Sequence, residues 1–165
     1  MVRAGSSDIG AEGVGMYRLA RVESMDQWRA LHAIRREVLF DTGIFPFVYD
    51  ENRPEDRQHG NTPYLLLLDD RPIGVMRLDQ HGPVGVVRLV AIAAARQRQG
   101  HGRAMSRLVD AEASARGIAE LRVNAHRDAV GFYRRTGWRE HVWDRDEPAR
   151  LAPGNLQMTK RLDDR

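Results

Sequence analysis

The chain has 165 residues, 42% of them hydrophobic and 30% charged; that suits one domain with a single core, and no apolar run reaches the roughly 18 residues of a membrane span. The formal net charge is +3 and the pI 9.8, yet the basic residues are interspersed with acids, as in Arg145-Asp146-Glu147, instead of forming the stripe that nucleic-acid binding needs. There is no cysteine, which excludes disulfides, thiolate metal sites and cysteine nucleophiles.

Lys160 is the only lysine among 26 basic residues, the skew that a GC-rich, bacterial genome produces. With no apolar leader at the N-terminus, we expect a cytoplasmic protein. Residues 1–13 are rich in Gly, Ser and Ala and read as a flexible tail, leaving residues 14–165 as the domain. Met16 to Val22 reads as a first strand. Ser24 and Gln27 have capping-box spacing, and Trp28, Leu31, Ile34, Val38 and Leu39 recur at helical period, so a helix is predicted from about Met25 to Phe40. Gly43 to Asn61 lacks periodicity and reads as a long loop, a candidate wall for a substrate pocket.

Tyr64 to Leu68, Pro72 to Leu78 and Val84 to Ala93 are strand-like runs joined by the turns Asp69-Asp70-Arg71 and Gln80-His81-Gly82-Pro83, an antiparallel meander. The third run is almost wholly apolar, as a central strand should be. The period then changes: Gly102 to Arg116 is helical and stops at Gly117. Ile118 to Asn124 is a strand, Asp128 to Thr136 a short helix, and Trp138 to Trp143 and Asn155 to Leu162 the last two strands. A strand, helix and strand between Val84 and Asn124 make those two strands parallel neighbours. The expected fold is α/β: a mixed, mostly antiparallel sheet of about seven strands with helices on both faces.

The most informative residues are Gln97-Arg98-Gln99-Gly100-His101-Gly102, between the central strand and a helix start. A helix N-terminus offers unpaired N–H groups and the positive end of the macrodipole, and glycine lets backbone close around an anion. Arg96, Arg98 and Arg103 add charge at the rim. Two readings stand: a phosphate cradle, or a tight turn without a ligand. The residues exclude a Walker loop, because no Gly-Lys-Ser/Thr follows, and a dinucleotide fingerprint, because Met105 and Ser106 stand where a third glycine belongs.

This stretch resembles the Q/R-x-x-G-x-G/A acyl-CoA motif of the GNAT acetyltransferases. A second landmark agrees: Ala129-Val130-Gly131-Phe132-Tyr133-Arg134-Arg135-Thr136-Gly137-Trp138 is similar to the family's A-x-x-F-Y-x-x-x-G-F segment, and Leu156 to Leu162 to its last strand. The resemblance covers about Tyr17 to Leu162 in element order, and is motif-specific from Arg88 to Trp138. It implies acetyl transfer from acetyl-CoA to an amine by direct attack in a ternary complex. It places Val90, Ala91 and Ile92 along the pantetheine, with an N–H near Ile92 on the thioester oxygen. Gln97, Arg98, Gln99, Gly100, His101, Gly102 and Arg103 would surround the pyrophosphate, His101 through its backbone and with its ring a bystander. Asn124 and His126 would border the pantetheine arm, and Tyr133 would protonate the leaving thiolate.

The chemistry also needs a neutral amine, and a free alkylamine has a pKa near 10. Many relatives carry a glutamate near the start of the central strand, where this chain reads Val84-Gly85-Val86-Val87-Arg88. His126 is the first candidate for the base, with His81, Asp79, Glu51 and Asp50 behind it; His126 as a loop cap is the competing reading. Arg88, inside an apolar strand, needs a partner: either an acceptor carboxylate or phosphate, or a structural acid such as Glu51 or Asp79. Histidines at metal-ligand spacing are lacking, so no metal is expected. A non-catalytic acyl-CoA-binding or sensing module is the rival to an enzyme. The expected partner is a small-molecule amine, with neither nucleic acid nor membrane; a homodimer is common in the family, though no residue pattern argues for one.

Overall fold

The computed structural model describes residues 15–147 and 152–163. The predicted tail and part of the loop after Asp144 lie outside the described residues. Seven strands form one sheet in the order β1-β2-β3-β4-β5-β7-β6: β1 Tyr17–Arg21, β2 Asn61–Leu68, β3 Arg71–His81, β4 Val84–Ile92, β5 Glu120–Ala125, β6 Arg139–Glu140 and β7 Leu156–Arg161. Every pairing is antiparallel except that of β4 with β5.

Alternation along the strands sorts the core into two layers. Leu65, Leu67, Val75, Leu89 and Ala91 face Leu31, Ile34 and Val38 of the first helical segment. Leu66, Met76, Leu78, Val87 and Leu121 face Met105, Val109 and Ala113 of α2 (His101–Ala115) and Val130 and Tyr133 of α3 (Val130–Arg135). Helices therefore cover both faces. A fully buried leucine such as Leu31 or Leu65 stabilises by about 1.5–3 kcal/mol through removal from water.

The first helical segment has the expected span but two geometries. α1 (Met25–Arg35) opens with the complete capping box: Ser24 accepts from the Gln27 N–H, and Gln27 accepts from the Ser24 N–H. A π-helical turn, Arg36–Phe40, follows, closed by the Asp41 N–H on the Arg36 carbonyl at 2.8 Å. The loop beyond it holds a 3-10 turn at Pro54–Arg57, and β2 starts three residues before the expected Tyr64. The expected strand from Trp138 to Trp143 shrinks to Arg139–Glu140. The cause is Gln157: its backbone carbonyl still accepts from the His141 N–H at 3.0 Å, but its side-chain Oε1 accepts from the N–H groups of Trp143 and Asp144, both at 3.0 Å, so a side chain replaces the ladder there.

Candidate active site

β4 and β5 pair only over Val84–Val87 and Glu120–Val123, although β4 runs on to Ile92 and β5 to Ala125. Beyond that point the strands part and leave a gap. The deviation has a local cause. Leu89 has φ 53°, and the register on β3 passes from Val75↔Ala91 to Arg77↔Arg88, so β4 carries one extra residue opposite Met76. Such a bulge bends and twists its strand. The Ala93 N–H bonds to the Ile73 carbonyl on β3 at 2.8 Å; by ladder alternation the Ile92 N–H then points away from β3, to the edge that β5 has left. Gln97 Nε2 donates to the Ile92 carbonyl at 3.0 Å, fixing the loop to the strand end. Val90 and Ile92 pack with the α2 and α3 layer, whereas Ala91 is buried in the α1 layer.

The predicted glycine turn follows a 3-10 turn at Ala94–Arg96. Arg98 has φ 63°, a left-handed conformation costing a bulky residue about 1–3 kcal/mol, and Gly100 has φ 87°. Gly100 is the N-cap of α2: among the described residues no side chain caps that helix, and no acid lies in its first turn. A Cβ on Gly102 would lie 3.3 Å from the Phe132 ring, a tight contact that bare backbone avoids where α2 and α3 approach. Gln97, Arg98, Gln99 and Arg103 are exposed around this helix end, and Arg96 is half-buried. The His101 ring is buried, bonds through Nδ1 to the Tyr17 hydroxyl at 2.7 Å, and so ties α2 to β1.

Tyr133 lies on the inner wall of a pocket between α2, α3 and β4, lined also by Val87, Val90, Gly102, Met105 and Phe132. It meets Trp138 and Phe132 edge-to-face, with centroids at 5.3 and 5.5 Å. Burial pushes its hydroxyl well above the usual tyrosine range, with no charged neighbour among the described residues offsetting it.

On the opposite face Arg88, the first β4 residue past the pairing with β5, has two carboxylate partners. Its NH1 and NH2 donate to the two oxygens of Glu147 at 3.3 and 3.1 Å, and its Nε lies 3.6 Å from Asp79. Asp79 was an expected partner; Glu51 was the other and instead pairs with Arg36. Asn124, the equivalent first residue on β5, donates to Glu147 as well and accepts from Gln157 Nε2 at 3.0 Å. The structure thus brings Arg88 and Asn124 together around Glu147, which the sequence reading missed. The only signal for it was the need of an arginine in an apolar strand for an acid; 59 positions of sequence separate the two.

The expected base candidates are otherwise engaged or remote. His126 Nδ1 accepts from the Asp128 N–H at 3.2 Å and caps a 3-10 turn. Asp79 binds Arg77 at 2.7 Å, Asp50 closes a turn on the Asn52 N–H, and His81 is exposed at the end of β3. Behind Arg88 the network continues inward: Arg77 reaches Asp56 at 3.1 Å, and Asp56 binds the wholly buried Arg35 at 2.7 Å. Among the described residues no group of side chains is arranged to hold a metal ion, and no helix is long and apolar enough to cross a membrane.

Solved structures share this architecture. A protein assigned as an N-acetyltransferase in Lactobacillus plantarum superposes with TM-score 0.70 at 24% identity, over 90% of this chain and 99% of that one. The ribosomal-protein-S18-alanine N-acetyltransferase of Escherichia coli gives 0.67 at 18% identity, over 89% and 94%. The PaiA N-acetyltransferase of Thermoplasma acidophilum, solved with coenzyme A, gives 0.68 at 14% identity, over 88% and 99%. At these identities the likeness shows the fold alone. No curated protein matches the chain. The family described as the acetyltransferase (GNAT) domain matches residues 42–149, and with the parted strands and the uncapped glycine turn in place, the chain belongs to the GNAT acetyltransferases.

Proposed function

We propose that this protein transfers an acetyl group from acetyl-CoA to the amine of a small-molecule acceptor, by direct attack in a ternary complex. One observation carries the reading: the gap between β4 and β5 runs between an anion-ready helix end at Gly100 and a buried tyrosine hydroxyl at Tyr133. The residues fit the cosubstrate. Gly100 leaves the first N–H groups of α2 without a side-chain cap, a pyrophosphate can take that place, and exposed Arg98 and Arg103 supply counter-charge.

Acetyl-CoA brings an acyl carbon activated by a thiolate leaving group. The Ile92 N–H, turned from β3 to the gap, is the donor placed to hold negative charge on the acyl oxygen. Tyr133 keeps its proton throughout the working pH range because burial raises its pKa, so it can supply that proton to a departing thiolate. The acceptor approaches from the Arg88 face, and its ammonium proton leaves to solvent, because each acid and histidine proposed for that step is engaged or remote. That engagement also favours a second reading, a non-catalytic acyl-CoA-binding module.

Calorimetric titration of acetyl-CoA into the wild type and into the double variant Gly100→Asp, Gly102→Asp tests the reading. Micromolar binding by the wild type, lost in a folded variant, supports it; equal binding by both sinks it. Free-thiol release over a panel of amines then separates the enzyme from the binding module.

A further inference from the structure

Arg88 and Asn124 flank the point where β4 and β5 cease to pair. Their donors converge on one carboxylate, in the two-pronged geometry by which a guanidinium binds an acid. Both are strand residues with fixed surroundings. Asn124 is oriented by Gln157, whose Nε2 donates to the Asn124 oxygen at 3.0 Å and thereby turns the Asn124 amino group to the carboxylate. Gln157 is fixed in turn by the Trp143 and Asp144 N–H groups. The Trp143 indole donates to the Val123 carbonyl at 3.1 Å, at the last residue of β5 that pairs with β4, and the Arg88 guanidinium lies 5.9 Å from its ring.

Charge completes the argument. Arg35 and Arg77 share Asp56, and Arg77 and Arg88 share Asp79. Three guanidinium groups thus face two carboxylates, and the excess positive charge lies at the outermost member, Arg88. An anion is needed there. In this structure it is Glu147, which belongs not to the sheet but to the connection after β6, beside exposed Arg145 and Asp146. The Arg88 and Glu147 side chains remain 31% and 21% exposed, so water reaches the pair.

We infer that Arg88 and Asn124 form a receptor for a carboxylate of the acceptor, with Glu147 as an internal occupant that the acceptor displaces. The substrate class is then an amine that also carries a carboxylate, such as an amino acid. The inference rests on the acetyltransferase reading for the amine, and on the Arg88 geometry alone for the acid.

The test is binding, without turnover. N-acetylated glycine, alanine, glutamate and phenylalanine are titrated by calorimetry against their C-terminal amides, with wild type, Glu147→Gln and Arg88→Gln. At least one acid should bind about tenfold or more tighter than its amide, the effect of a charged hydrogen-bonded pair. Glu147→Gln removes a tethered competitor at high effective concentration, so the same acid should gain about tenfold; the position lies on a loop outside the two core layers. Arg88→Gln should abolish the preference.

No binding of any acid, or equal binding of acids and amides by wild type and Glu147→Gln, overturns the inference. Acetyl-CoA is titrated in parallel. Binding of acetyl-CoA without acid preference removes the receptor and keeps the transferase; acid preference without acetyl-CoA binding does the reverse.

Discussion

Tyr133 and Asp56 are opposite solutions to burial of an ionisable group. Among the described residues Tyr133 has no charged partner, so burial favours its neutral form. Tyr133→Phe keeps the ring and removes the proton, so acetyl-CoA affinity should hold while kcat falls about a hundredfold or more; stopped-flow thiol release checks both. The same raised pKa has a stability sign. The folded protein holds the proton after the unfolded chain has lost it, so this stabilisation is complete below pH 10 and lost as pH rises further. Tyr64, raised by burial and by its bond to Glu112, acts in the same direction. Melting temperatures should decline above pH 10, and less steeply in Tyr133→Phe. Asp56 is buried against Arg35 and Arg77, whose hydrogen bonds outweigh the cost of burial and hold its carboxyl below the usual range. Its contribution is present above the unfolded pKa of 3.8 and lost as pH falls through the folded value. Asp56→Asn leaves buried guanidinium groups short of a counter-ion and should cost about 3–5 kcal/mol in urea unfolding. At this scale the sequence showed that Arg88 needed an acid. It did not show Glu147, because ion-pair partners are chosen by the fold and leave no local pattern.

Elements were legible wherever their signals are local. The capping box at Ser24 and Gln27 is present as read, and α2 runs to Ala115 with Gly117 beyond it. Ser24→Ala removes one cap bond and should cost about 1 kcal/mol, measurable as a shift in the urea midpoint at unchanged m-value. Features that depend on distant partners were not legible. The π-helical turn at Arg36–Phe40 has no composition of its own. β6 gives out after Glu140, and from Trp143 on a side chain from β7, that of Gln157, takes the N–H groups in place of the ladder. The bulge at Leu89 is the most consequential of these: a leucine at positive φ carries no glycine or asparagine to announce it, yet it diverts β4 from β5 and so creates the gap.

For the whole molecule, the meander and the parallel crossover followed from connection lengths, but the order β5-β7-β6 did not, since it is set by pairings remote in sequence. That order places the gap near the middle of the sheet. To one side lie β1 to β4, to the other β5, β7 and β6, joined in the sheet by the four residue pairs from Val84↔Glu120 to Val87↔Val123. A ligand lying in the gap touches both sides and binds only the folded chain, so it should stabilise the whole. At a hundredfold excess over its Kd, acetyl-CoA should add about 2.7 kcal/mol. At about 2–4 °C per kcal/mol for a chain of this size, the melting temperature should rise by about 5–10 °C. The rise should vanish in the Gly100→Asp, Gly102→Asp variant, whose added carboxylates repel the pyrophosphate at the helix end. It should persist in Tyr133→Phe, which changes proton supply and not the cradle. A rise of equal size in all three proteins, followed by differential scanning fluorimetry, would place the ligand away from the gap and separate the stabilising site from the glycine turn.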